Sequence, residues 1–235
     1  MRTPLAASIL SLFVCGSALA AQNNIGPQDL SARYRETANR LIEAALADDS
    51  GLARLTYLCD RIGNRISGSP ALATAVDWSV VQMKEAGLSN VTKIPVKVPH
   101  WVRGREAAEL LSPLPRPLHM LGLGMSVGTP AEGISADAVV VSSFNELEQL
   151  GRQGIEGKIV VFNVPFESYG RSVVYRMEGP SRAGTLGAVA VLVRSVTPLA
   201  MQQPHTGTLR YKEDMPKIPA AAITIEDTLL LQRIQ

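Results

Sequence analysis

Hydrophobic and polar positions follow two rhythms along this chain, and the rhythm changes near residue 112. Before that point the period is mostly helical. Residues 29–48 read as a helix. Ser50 can cap a second helix over residues 52–62, where Leu55, Leu58 and Ile62 share one face. Ser69 followed by Pro70 is a helix start, an N-cap and then proline at the first helical position. The helix it opens should run to about Ala86 and stop at Gly87. In "KIPVKVP" the alternate residues Ile94, Val96 and Val98 are apolar, which predicts a strand.

From about Ser112 proline and glycine become dense, in "SPLPRP" and "GLGMSVGTPAEG", and this reads as a domain boundary. Short apolar strands follow: "DAVVVS", "GKIVVFNVP", "GAVAVLVRS" and "IPAAAIT". Between them "FNELEQLGRQ" is a short helix and "GPSRAGTLG" a weaker one. The alternation predicts an α/β, β-rich module. At the end, Thr224 and Asp227 form a capping-box pattern that opens one more helix. Leu230 and Ile234 fall on one face of it, with Leu231 beside them, and its leucines are expected to pack against strands that lie outside this sequence. That helix meets Gln235 with no glycine, proline or polar tail, so Gln235 reads as a cut through a longer chain.

Composition narrows the class. The 235 residues are 46% hydrophobic and 19% charged, a globular balance that excludes disorder. Net charge is +2 with no basic run, which argues against a nucleic-acid partner. The first residues are informative. Arg2, an apolar run over residues 5–14, and Ala18-Leu19-Ala20 form a Sec-type signal peptide with cleavage after Ala20. The apolar run is too short for a permanent membrane helix, and no later run is long enough, so no membrane anchor is expected. Val14 is bulky where a lipoprotein signal needs a small residue, which argues against lipidation at Cys15. The mature protein should be exported, to the periplasm or outside the cell, or into the secretory lumen of a eukaryote. There Asn90-Val91-Thr92 would be a glycosylation sequon.

Candidate chemistry is sparse. With the signal removed only Cys59 remains, so no intramolecular disulfide can form; a buried free thiol in an amphipathic helix accounts for it. "GMSVG" matches the nucleophile elbow of serine hydrolases at Ser126, but "TPAEG" follows it and cannot open the required helix. "GLGMSVG" misses the dinucleotide fingerprint by one residue, and "GIEGKI" has Ile159 where a P-loop needs Ser or Thr. His100, His119 and His205 lie apart, outside any zinc-ligand spacing. "PHTG", with His205, is the best candidate for a functional loop. Arg171 and Arg176 beside Tyr169 and Tyr175 could bind a carboxylate or simply form a solvated face.

The order of segments carries more. "LARLTYLCDRIGNRISGSP", "PHW", "GTPAEG", "GKIVV", "PHTG" and "KIPAAAIT" together resemble the front half of the carboxypeptidase Q family, also called plasma glutamate carboxypeptidase. The resemblance covers the chain from about Leu52 onward. It implies that residues 21–111 supply opening helices and an edge strand of an α/β zinc-peptidase domain. Residues 112–235 would be an inserted protease-associated domain, a β-rich α/β module that lacks its last strand here. Family members use two zinc ions, held by an H-x-D motif, a bridging Asp, a Glu pair and a late His; the metals activate water and a Glu moves its proton. None of those ligands can be placed in this sequence. No catalytic or metal residue is therefore carried over, and the chain alone is expected to be inactive. The implied partner is a dipeptide or short peptide, and the resemblance leaves room for a homodimer. Because the inserted domain shapes the approach to the zinc cleft, His205, Arg171 and Arg176 are the substrate-cleft candidates. The alternative is a protease-associated binding module without catalysis.

Overall fold

The computed structural model describes residues 27–235. The expected signal peptide, its cleavage point after Ala20, and Cys15 lie outside them. The chain divides into two compact units, one ending at Arg61 and the other comprising Ile62–Gln235.

The first unit holds α1 (Pro27–Ala47) and α2 (Ser50–Tyr57), which passes into a π-helical turn, Leu58–Ile62. Ser50 is not the cap expected for α2. Asp49 takes the N-cap position without a side-chain bond, and the Asp48 carboxylate accepts from Ser50 N and Oγ at 2.8 Å each. Those two bonds hold the Asp48 carboxyl below its ordinary range. Cys59 is exposed rather than buried. No residue of α2 or of the π-helical turn is buried, so the expected apolar stripe covers no core that could take in the thiol.

In the second unit α3 (Pro70–Glu85) forms as its sequence predicts. Ser69 Oγ accepts from Leu72 N at 3.1 Å, and Pro70 occupies the first turn. At the other end Leu88 N donates to Met83 O and Gly87 N to Lys84 O, the paired bonds of a Schellman cap. The strand expected over "KIPVKVP" does not form. A strand needs a ladder partner, and none of the described strands pairs with this segment. Ile94 and Val96 are 79% and 75% exposed.

A hairpin follows, β1 (Ala108–Leu110) antiparallel to β2 (Arg116–Leu118), joining residues on both sides of Ser112. The main sheet has five strands in the order β3-β7-β6-β5-β4. β3 (Met120–Gly122) runs antiparallel to β7 (Ala220–Ile223). β4 (Ala138–Val141), β5 (Ile159–Phe162), β6 (Ala190–Arg194) and β7 are mutually parallel. Parallel neighbours need crossovers. These are α4 (Phe144–Ile155), α5 (Tyr169–Thr185) and the irregular segment 195–219, while α6 (Ile225–Ile234) follows β7. The α/β class expected from the sequence is therefore the one observed.

Alternate residues of each strand serve two cores. Val160 and Phe162 of β5 join Leu147, Ile155, Ala183, Val191 and Val193. Val161, between them in sequence, joins Leu118, Val140, Ile223 and Leu231. α6 packs differently from expectation. Ile225, Asp227, Thr228 and Leu231 are buried, while Ile234 is 38% exposed. Leu231 shares its core with Leu118 of β2, Val140 of β4, Val161 of β5 and Ile223 of β7, all within this chain. α5 is also longer than its sequence suggested. "GPSRAGTLG" was expected as a weak separate helix, yet it continues the helix begun at Tyr169. Gly179 lets α5 approach β5: a Cβ there would stand 2.7 Å from Phe162 Cε2.

Candidate functional site

Three elements meet at one end of the sheet around the sequence "PHTG". The first is the start of α5. Ser168 caps it, with its Oγ accepting from Arg171 N at 3.4 Å. Tyr169 stands in the first turn and Arg176 two turns later, on the side facing the protein. The second is the end of β6. There Ser195 Oγ donates to Ile223 O at 2.7 Å and accepts from His205 N at 2.8 Å. The third is the exit of β3. Gly124 N donates to Gly207 O at 2.7 Å, Leu209 N to Gly124 O at 3.0 Å, and Thr206 Oγ1 to Gly122 O at 2.9 Å. The loop from Pro204 to Gly207 is thus sewn to β3 and β6 by its backbone, which leaves the His205 ring at its exposed tip.

Arg176 lies under this loop and is 5% exposed. Its Nη2 donates to the Tyr169 hydroxyl at 2.9 Å and its Nη1 to Thr206 O at 3.4 Å, while Nε has no partner among the described residues. Its Cζ is 5.7 Å from the centroid of the Tyr169 ring. Among the described residues no carboxylate lies within 4.0 Å of it. A buried guanidinium with only neutral partners is costly, so the local charge is a net positive one. The rings of Tyr169 and His205 meet edge to face, with centroids 6.4 Å apart. The structure therefore brings two of the three cleft candidates together, His205 and Arg176, and adds Tyr169.

Arg171 does not join them. It is exposed and bonded to Glu167 at 2.8 Å, which raises its pKa above the ordinary arginine value. The i, i+4 spacing that places it on the solvent side was present in the sequence.

The remaining motifs resolve individually. Ser126 Oγ donates to Val127 O at 2.9 Å and accepts from Ala220 N at 2.8 Å, so it ties two backbone segments together and faces no base. His100 packs against Gly68. His119 Nδ1 lies 3.2 Å from Asp227 Oδ2. Among the described residues no three His, Cys, Asp or Glu side chains gather closely enough to hold a metal ion. The described residues do not fit a zinc centre. No described helix is long and apolar enough to cross a membrane.

No protein-family model matches the chain. Individual relatives do. Carboxypeptidase Q of Xenopus laevis is 48% identical over 204 residues, which covers 86% of this chain and 43% of that protein. Carboxypeptidase Q of Homo sapiens is 38% identical over 232 residues, covering 95% and 49% respectively. Among solved structures, the peptidase M28 precursor of Shewanella amazonensis superposes with a TM-score of 0.81 at 32% identity, over 87% of this chain and 48% of that one. The chain spans less than half the length of the curated relatives it matches. Its fold is that of the corresponding part of an M28 peptidase. Across most of its own length, then, the chain is a homologue of carboxypeptidase Q.

Proposed function

We propose that these residues are the first part of an exported zinc metallopeptidase that hydrolyses dipeptides or short peptides. The observation that carries this reading is the 48% identity to carboxypeptidase Q over 86% of the chain. In this reading residues 1–20 are a signal peptide cleaved after Ala20, and residues 21–111 open the peptidase domain. Residues 112–235 are the inserted protease-associated domain. The two zinc ions of the family are held by residues outside this sequence, so the 235-residue chain by itself has no hydrolytic activity. His205 and Arg176 line the approach to the peptide cleft from the inserted domain, while Arg171 faces solvent, bonded to Glu167.

Two preparations test this reading. One is the 235-residue chain, the other the same chain extended along its reading frame to the length of its relatives. Both are assayed with dipeptides in the presence of zinc and of a chelator. The expected result is chelator-sensitive hydrolysis by the longer chain and none by the shorter. Zinc-dependent turnover by the shorter chain would overturn the assignment of the metal ligands. No turnover by a folded longer chain would overturn the peptidase reading.

One observation favours the alternative, a binding module. The five-stranded sheet carries a buried core on each face, both built within the second unit. Such a module should unfold cooperatively by itself.

A further inference from the structure

Arg176 is buried without a counter-ion among the described residues, and its neighbours indicate what could supply one. The Tyr169 hydroxyl accepts from Arg176 Nη2. Its own proton is therefore directed elsewhere, and among the described residues that proton has no acceptor. The His205 ring has no hydrogen-bond partner among the described residues, and either neutral tautomer keeps one ring N–H to donate. Both residues are exposed, Tyr169 by 52%. Two rings that each keep a free donor thus stand with centroids 6.4 Å apart, beside a buried positive charge that no carboxylate among the described residues neutralises. Donation by the guanidinium polarises the phenol and strengthens its O–H as a donor. A carbonyl would satisfy the donors, but only an anion would also meet the charge.

We propose that the Tyr169 hydroxyl and the His205 imidazole form a receptor for the carboxylate of a short peptide, with Arg176 as the positioning residue beneath them. The peptide identity of the ligand rests on the peptidase reading; the anion preference rests on the geometry alone. Arg176 does not reach the ligand. Gly207 lies against its guanidinium, and two of its donors go to Tyr169 and Thr206. Its part is to fix the phenol and the loop in register and to supply the field.

The test is an NMR titration of the 235-residue chain, reading the ring signals of Tyr169 and His205. The probes are N-acetylglycine, N-acetylglycinamide and inorganic phosphate. Saturable shifts of both rings with N-acetylglycine alone are the expected result. Equal response to the amide would show that charge is not read. Equal response to phosphate would make the site a general anion receptor. Either outcome overturns the proposal, as does no response to any probe. Tyr169→Phe keeps the ring and should weaken binding at least fivefold; unchanged binding by that variant also overturns it. Arg176→Lys keeps the charge but not the fork, and should move the His205 ring signals before any ligand is added. Unmoved signals would remove Arg176 from the proposal. Binding is read here without turnover, so a negative result leaves the hydrolysis assay intact, and failed hydrolysis leaves this titration intact.

Discussion

The Arg176 guanidinium lies against the backbone of Gly207 so closely that a Cβ at position 207 would stand 2.4 Å from its Cζ. The same atom would be 2.6 Å and 2.7 Å from Nη1 and Nη2. An arginine on the surface could swing away from such a methyl group. This one is buried, and two of its donors are committed. Gly207→Ala should therefore displace the loop from β3 or expel the guanidinium, at a cost of about 1–3 kcal/mol, typical of overpacking. Urea unfolding measures it. An unchanged midpoint would mean that the guanidinium has room to retreat.

Asp227 joins α6 to the corner between β2 and β3. Its carboxylate accepts from His119 N at 2.7 Å, and Thr224 N donates to His119 O at 3.2 Å. The Thr224 side chain meanwhile caps α6 by accepting from Asp227 N at 3.1 Å. Asp227→Ala would leave the His119 N–H without its partner and open a gap at a position 2% exposed. The expected loss is about 1–3 kcal/mol. Thr224→Ala should cost about 1 kcal/mol, the usual worth of a cap. Equal effects in denaturant unfolding would show that Asp227 acts as a helix residue alone, without the long-range tie.

The capping pattern at Thr224 and Asp227 illustrates how much the sequence reveals. Its local half, the cap, follows from three-residue spacing. Its distant half, the bond to His119, has no sequence signal, because it joins positions more than 100 residues apart. The same division runs through the fold. Strands β4 to β7 were legible because each is a short apolar run bounded by turn residues. α5 was not, because Gly179, Pro180 and Gly184 look like breakers. All three are buried, so close packing against the sheet outweighs their poor propensity. The segment at residues 93–98 has the reverse problem. Its alternation is that of a strand, but pairing is decided by a partner, and none is among the described strands. At the candidate site, His205 and Arg176 could be named in advance. That Tyr169 completes the group, and that Arg171 leaves it, depends on helix phase and on where the loop crosses.

Ser126 should not behave as a nucleophile. Its hydroxyl is engaged with the backbone on both sides, at Val127 O and Ala220 N. A fluorophosphonate probe should leave it unlabelled. Ser126→Ala should instead cost stability, about 1 kcal/mol, because Ala220 N loses its acceptor. Labelling that disappears in the Ser126→Ala variant would contradict this account.

The start of α4 predicts a specific acid response. Ser143 Oγ accepts from Glu146 N at 3.1 Å, and the Glu146 carboxylate accepts from Ser142 Oγ at 2.6 Å and from Ser142 N at 2.7 Å. The two bonds from Ser142, the hydroxyl first, hold the Glu146 carboxyl below its ordinary value of 4.5. A carboxyl depressed in the folded state binds its proton more weakly there than in the unfolded chain. Its contribution is then fully present above the unfolded value and is lost as pH falls through the folded one. Glu146→Gln should accordingly be less stable than the parent at neutral pH. The difference between the two proteins should shrink on acidification through the range below 4.5, as the parent carboxyl takes up its proton. Urea midpoints of both proteins across that range provide the check. A gap that stays constant with pH would show that the two bonds act through geometry alone and that the charge on Glu146 contributes nothing.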